Sequence, residues 1–385
     1  MNIIYISSTR LPTEKARGVQ IMKACEAFVR SGAKLRLIVP DVINPVPGDP
    51  FTFYGVPPIF TIERAMGLDT LSRTIARFSD TFAFYVRSVA FAIFSVLPLL
   101  GLRRKGHTFY SRDYPVLLLL ALFGFKPVAE IHNFHSRRPR WHMRYIFENS
   151  KKIVVNAEGT RDEILKYYPI PPSKILVAQN GVDVEFFNVK ESQEEARRHL
   201  LVPLHKTVIS YVGRLETIGQ EKGVGDLVEA FKLVHKNYPD SVLYIIGGPG
   251  DYVDKYRKQA GGYPDIVFTG QVEYRQIPYY LRAVDIVVIP FPDTQQYRTA
   301  SPIKLFEFLA AGKAIVSSDI ASLRVHLNGG NALFYRAGDA SDLADKLQDI
   351  LKQPDLMRQL SARALLDSKQ HSWLNRADTI MKFIR

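Results

Sequence analysis

From residue 207 onward the chain is a train of short apolar runs separated by amphipathic stretches: TVISYV at 207–212, SVLYII at 241–246, IVFT at 266–269, IVVIP at 286–290 and AIVS at 314–317. A strand with one wet face alternates apolar and polar residues, and these runs do not, so both of their faces must be covered. Helical patterns at 225–237, 251–259 and 276–283 fall between them, which dictates parallel strands with helices on both faces. The first half repeats the theme, with strands at 2–7, 34–39, 108–111, 128–132 and 152–156 and a helix at 18–31. The fold class is α/β, with two doubly wound Rossmann-like domains, and 385 residues at 46% hydrophobic content supply a core for each. The charged segment VKESQEEARRHL, just after the turn Asn180-Gly181-Val182-Asp183, places the joint near residue 187, giving domains 1–187 and 188–370. A last amphipathic segment, 371–385, carries Trp373, Ala377, Ile380 and Phe383 at helical spacing.

Charge is unevenly placed. Residues 1–190 hold 26 Lys/Arg against 15 Asp/Glu, a balance of +11 within a total of +13. Clusters at Arg103, Arg104, Lys105 and at Arg137, Arg138, Arg140, Arg144, Lys151, Lys152 mark either a solvated basic face or one turned toward an anionic partner. They lack interleaved aromatics and any recognisable binding module, which argues against nucleic acid. The stretch 81–100 has about the ~20 residues of a membrane span but contains Arg87 and Pro98, and 116–125 is half as long. The first reads as a buried or membrane-surface helix and the second as a core helix, so an anionic membrane surface contacted through residues 81–152 is an expected partner. The lone Cys25 fits a reducing compartment, and MNIIYISS has no basic n-region, so the expected location is cytoplasmic, peripheral on the inner face of a membrane.

Ligands of doubly wound sheets sit beyond the carboxyl ends of the strands, and four loops qualify. After strand 2–7, Gly18 precedes a helix and lets backbone approach a ligand, although no G-x-G-x-x-G is present. After strand 207–212 come Gly213-Arg214-Leu215 and then Lys222-Gly223, a guanidinium fork and an ammonium suited to a diphosphate. His132 ends strand 128–132 and is placed to donate to a sugar hydroxyl or to act near a leaving group, with His135 as a second histidine; a packed structural histidine is the plain alternative. In RTASPIKLFEFLAAGK, Ser301 is expected to cap a helix that has Pro302 at its first position. The free helix start beside Ile303 and Lys304 is an anion site, with Glu307 one turn behind it on nearly the same face. No H-E-x-x-H, D-x-D or Walker A sequence occurs, so neither a metal nor a bound cofactor is called for.

Taken together, G-R-L…K-G (Gly213 to Gly223), I-G-G (Ile246 to Gly248), F-T-G-Q-V (Phe268 to Val272), A-V-D-I-V-V-I-P (Ala283 to Pro290) and L-F-E-F-L-A-A-G-K-A-I-V resemble a retaining glycosyltransferase of family 4 with the GT-B fold. The resemblance implies a nucleotide-sugar donor on the second domain, a glycan, lipid-linked or phosphorylated acceptor on the first, and catalysis in the cleft between them. Arg214 and Lys222 match the pair that holds the diphosphate, Glu307 the ribose-binding acid, Val272 the base loop and His132 the histidine near the donor sugar. Segment 371–385 is expected to cross back onto the first domain. Two features depart from the family pattern. Thr299 stands where E-x7-E has its first glutamate, with Ser301 and neighbouring amides in compensation, and Arg214 and Lys222 lie two residues further apart than is common. The expected reaction is retaining, metal-independent hexosyl transfer. The competing readings are a sugar-nucleotide 2-epimerase of the same architecture and a basic nucleic-acid-binding protein.

Overall fold

The structure, a computed structural model, describes residues 1–13, 15–66, 80–102, 106–132, 134, 140–217, 219–299 and 301–385. His135, Arg137, Arg138 and the cluster Arg103, Arg104, Lys105 lie outside the described residues. The chain divides into two compact units, Met1–Asn180 with Trp373–Arg385, and Gly181–Ser372. The division falls at the Asn180-Gly181 turn, ahead of the charged segment that the sequence offered as the joint.

The first unit is a seven-stranded sheet of β1 (Asn2–Ile6), β2 (Lys34–Pro40), β3 (Thr61–Ala65), β4 (His107–Ser111), β5 (Val128–Ile131), β6 (Lys152–Val155) and β7 (Ile175–Val177). Every pairing is parallel, in the order β3-β2-β1-β4-β5-β6-β7. Its central strands are buried, and Ile4 and Ile6 of β1 pack with Phe91 and Val96 of helix Asp80–Val96 and with Val116 and Leu120 of helix Tyr114–Leu122. The edge strands β3 and β7 were not foreseen: TIERA has no buried residue, and β7 is a run of only three residues.

Helix Asp80–Val96 and the turn Leu97–Leu102 bury Phe91, Ala92, Val96 and Leu99. Their other side exposes Tyr85, Val89, Ile93, Leu97 and Leu100 at 38–61%, and spacings of three and four residues set these on one stripe. Residues 85–102 are long and apolar enough for a span by composition, but a third of them are buried within the protein.

Helix Trp373–Ile384 belongs to the first unit and packs on helix Ala16–Arg30, burying Trp373, Arg376, Ala377, Ile380 and Ile384. Lys152 lies over the Phe383 ring, 4.4 Å from its centroid, and Lys151 Nζ donates to the Ile384 carbonyl at 2.5 Å.

The second unit holds a six-stranded parallel sheet of β8 (Thr207–Val212), β11 (Ser241–Ile246), β12 (Ile266–Gly270), β13 (Ile286–Ile289), β14 (Ala314–Ser318) and β15 (Ala332–Tyr335). The order is β12-β11-β8-β13-β14-β15, and a separate hairpin pairs β9 (Glu216–Thr217) with β10 (Gln220–Glu221). Every residue of β11, β13 and β14 is buried, which is why these stretches read as continuous apolar runs. The chain enters this unit at Gly181 and leaves it at Ser372, and the two crossings are paired where Val182 N–H donates to the His371 carbonyl at 2.8 Å.

Docking of the last helix contributes directly to the stability of the first unit. Ile380→Ala removes a fully buried side chain and is expected to lower that unit's unfolding free energy by about 2–5 kcal/mol in urea titrations, the usual range for such truncations. An unchanged midpoint would show that the helix contributes nothing to that core.

Candidate functional site

In the second unit the strand order reverses between β8 and β13, the place where an open α/β sheet presents a crevice to ligands. The strand ends there meet backbone to backbone. A Cβ on Gly247 (φ +141°) would lie 1.8 Å from the Gly213 carbonyl oxygen, and one on Gly223 (φ +74°) 1.7 Å from that of Pro290. Only glycine permits either approach. The loops are then joined by Gly213 N–H to the Ile246 carbonyl at 2.9 Å and Leu215 N–H to that of Gly248 at 2.8 Å.

The hairpin β9–β10 occupies the interval between Arg214 and Lys222 and returns the chain to its start, since Lys222 N–H donates to the Leu215 carbonyl at 3.3 Å. The longer interval is thus taken up by a hairpin whose ends remain hydrogen-bonded to each other. Arg214 is largely exposed, with Nη2 3.8 Å from Glu216 Oε2. Lys222 Nζ sits 5.4 Å from the centroid of Phe291. Burial, then Lys304 and Arg214, push the Lys222 ammonium down to about 8, only partly opposed by Glu216. Lys304 runs beside Gly213, its Cγ and Cε 3.8 Å from where a Cβ would stand. Arg214, Lys222 and Lys304 thus converge on one place.

Helix Ile303–Ala310 begins one residue later than the sequence indicated. Pro302 is extended (ψ 124°) and occupies the cap position, which it fills without a side-chain cap bond, so Ser301 stands one residue before the cap. Gly312 is the left-handed stop, at φ +60°. Within the helix, Lys304 Nζ is 2.8 Å from Oε2 of Glu307, whose side chain is 2% exposed. Tyr274 is its neighbour: burial first, then the Glu307 and Asp183 carboxylates, raise that phenol well above its ordinary range.

Thr299 ends the short helix Gln295–Arg298, and its hydroxyl donates to the Gln295 carbonyl at 3.1 Å. Its proton is thereby used, and its oxygen faces the same loop. Val272 follows β12 beyond Gly270 (φ +72°) and packs half-buried at the edge of the apolar core. Nearby, Tyr274 stacks on Phe186 at 5.3 Å. The sequence reading did not single out Phe291 and Tyr297, which stack at 4.8 Å beneath the cations. Aromatics in the otherwise polar FPDTQQY after a buried strand were the available signal.

The first unit reverses strand order between β1 and β4. Gly18 lies inside helix Ala16–Arg30, and the close approach it permits is filled by protein: an added Cβ would meet the Tyr54 hydroxyl at 2.0 Å. That phenol accepts from Thr13 N–H at 2.7 Å and donates to the Thr13 carbonyl at 2.8 Å, pinning the loop. The absence of a side chain at Gly18 thus makes room for Tyr54. Across the reversal, Asp113 accepts from Ser8 N–H at 2.7 Å and from the Ser8 hydroxyl at 2.8 Å, and it pairs with Arg17.

His132 sits just past β5, its Nε2 2.6 Å from Oε1 of the buried Glu130. Arg376, from helix Trp373–Ile384, donates to the same oxygen at 2.6 Å. Burial opposes the charge on Glu130, but Arg376 and His132 outweigh it and hold the carboxyl well below its usual range. Burial first, then Arg112, push His132 down to about 3 against the pull of Glu130, so the imidazole is neutral at working pH.

Residues 206–353 match the family described as "Glycosyl transferases group 1", and residues 18–186 match "Glycosyltransferase Family 4". A D-inositol 3-phosphate glycosyltransferase of Corynebacterium kroppenstedtii is 28% identical over 245 residues, covering 60% of this chain and 52% of that protein. The chain thus spans about half the length of the curated relatives it matches. Among solved structures, Anabaena HepE in complex with UDP aligns over 99% of both chains (TM-score 0.70, 15% identity). In complex with UDP-glucose, the same protein aligns at TM-score 0.71. Sucrose-phosphate synthase from Thermosynechococcus elongatus covers 99% of this chain and 97% of its own (TM-score 0.72, 16% identity). These likenesses show the α/β GT-B fold. With both units matched in sequence as well, the chain belongs to the group 1, family 4 glycosyltransferases.

Proposed function

We infer that this protein moves a hexose from a uridine diphosphate sugar to an acceptor hydroxyl, with retention. The observation that carries the reading is the convergence of Arg214, Lys222 and Lys304 beside an uncapped helix start, with the buried Glu307 one turn behind. Like charges held together with only partial compensation from Glu216 and Glu307 are unfavourable, and a diphosphate relieves that repulsion while accepting hydrogen bonds from the helix amides. The uridine comes from the UDP complexes of the Anabaena protein.

In this reading Arg214, Lys222, Lys304 and the amides of Ile303 and Lys304 stabilise negative charge as it grows on the departing diphosphate. Glu307 accepts from the ribose hydroxyls, which requires Lys304 to turn from the carboxylate toward phosphate. Val272 and its loop border the base, and the Thr299 oxygen and Ser301 serve the sugar. The acceptor attacks on the face the diphosphate leaves, and the departing phosphate oxygen takes its proton, so no protein nucleophile is needed. The inositol phosphate relatives and the basic first half favour a phosphorylated or lipid-linked acceptor.

Arg214→Ala is expected to lower kcat by about 10²-fold, the scale of one lost transition-state donor, with the melting temperature unchanged. Near-normal turnover would sink the assignment. Glu307→Gln should weaken UDP-sugar binding about tenfold in calorimetry, as expected for a lost charge-assisted hydrogen bond, and unaltered affinity would remove the ribose role. Product formed from donor without acceptor would favour the epimerase reading.

The Lys222 shift gives a pH signature. Its charge is present below about pH 8 and is lost as pH rises through that value. The Kd of UDP, whose terminal phosphate is fully ionised above about pH 7, should therefore weaken by up to about tenfold between pH 7 and 9. Lys222→Met should flatten the profile; an identical pH dependence in that variant would reject Lys222 as the titrating group.

The stripe of Tyr85, Val89, Ile93, Leu97 and Leu100 supports a peripheral membrane surface on the first unit. Vesicles containing anionic lipid should co-sediment the wild type, and Val89→Asp with Ile93→Asp should release it. Equal sedimentation of both would refute this surface.

A further inference from the structure

The proposed reaction leaves His132, which the family resemblance set near the donor sugar, and the buried charges behind it without a task. Glu130 is 3% exposed and Arg376 5%, and they lie 246 residues apart in the chain, yet Nη2 of one is 2.6 Å from Oε1 of the other. Removing one partner of such a pair strands a charge in the interior, so its retention calls for a function or a strict packing need. Arg376 also uses Nε on the Gln179 carbonyl at 2.8 Å and the Ala178 carbonyl at 3.3 Å, just past β7. The guanidinium is therefore fixed from two sides. The Tyr5 hydroxyl approaches Glu130 Oε2 at 3.4 Å, and the Tyr5 and Tyr110 rings meet edge to face, 5.0 Å apart. This leaves Glu130 little freedom to turn.

What Glu130 offers His132 is an ionised carboxylate oxygen 2.6 Å from Nε2. An ionised carboxylate only accepts, so Nε2 must carry the imidazole's proton. His132 Nδ1 makes no hydrogen bond among the described residues, and the side chain is 10% exposed. In a neutral ring with its proton on Nε2, that nitrogen is a lone-pair acceptor. The sequence alone pointed to a histidine that donates to a hydroxyl; the geometry gives it the opposite polarity.

We propose that Arg376 and Glu130 are positioning residues that lock His132 as its neutral Nε2–H tautomer, so that Nδ1 accepts a hydrogen bond from a substrate hydroxyl. This rests on the glycosyltransferase reading only for the identity of that hydroxyl. The final helix thereby contributes to the chemistry of the first unit through Arg376 as well as to its stability. No proton is transferred: His132 recognises and orients an O–H group through the Nδ1 lone pair, which an imidazolium lacks.

Two measurements on the full chain test the proposal. In long-range nitrogen-15 spectra of histidine-labelled protein, with His132→Gln to identify the signals, His132 is expected as the Nε2–H tautomer at pH 7. It should stay neutral down to pH 5, since the charged and titratable groups bearing on it are Glu130, Arg112 and Arg376, with Tyr5, Tyr110 and Cys25 around Glu130. A proton on Nδ1, or an imidazolium at pH 7, overturns the proposal whatever the enzyme does. In kinetics, Glu130→Gln permits the other tautomer and should lower kcat by about 10²-fold with the donor KM within about twofold, and adding Arg376→Met should cost little more, as for residues acting as a unit. Turnover of Glu130→Gln within threefold of wild type, or losses that multiply in the double variant, also overturns it. Absence of hexosyl transfer in the wild type alongside the predicted spectrum would reject the function and leave the tautomer lock standing.

Discussion

The second unit depends on contacts between bare backbones. Strands β8, β11 and β13 end close enough that Gly247 touches the Gly213 carbonyl and Gly223 that of Pro290, distances that any side chain would abolish. This proximity gathers loops from three strands, and with them Arg214 and Lys222, beside the start of helix Ile303–Ala310. Substituting either glycine is a change in the site as much as in the fold, because the cations are placed by the backbone contact and not by one another. Left alone, the cations repel. Glu216 and Glu307 partly compensate, which leaves a site that is positive but not saturated.

The electrostatic logic of the first unit is the reverse. Its buried charges, Glu130 and Arg376, are matched, enclosed by aromatics and withdrawn from solvent. One region holds like charges together with only partial compensation from nearby carboxylates. The other holds opposite charges together so that a neutral imidazole keeps one orientation. Both arrangements are costly in isolation and sustained by the surrounding core.

Much of this was legible in the sequence because it follows from local rules. The runs at 207–212, 241–246 and 286–290 coincide with β8, β11 and β13 to within a residue, since strands buried on both faces are dominated by apolar residues. Arg214, Lys222, Lys304 and Glu307 were readable because strand ends and helix starts fix where their side chains emerge. What escaped was non-local. Nothing near Gly18 announces that Tyr54 fills the space beside it, and nothing near His132 announces an arginine from the last helix. The cap assigned to Ser301 failed for a local reason: Pro302 took the extended conformation of the cap position itself, and a statistical preference at one residue cannot foresee that competition.

The hairpin β9–β10 separates two quantities that are usually treated as one, the number of residues between Arg214 and Lys222 and the distance between their backbones. Lys222 is hydrogen-bonded at its amide to Leu215, so the intervening segment is a closed excursion whose ends are fixed by that bond. Residues added or removed in pairs at its tip change the height of the excursion and leave its base untouched, as in any ladder that grows by antiparallel pairing. The number of residues between Arg214 and Lys222 can therefore change while the backbone at the two ends of the excursion stays where the Leu215 bond fixes it.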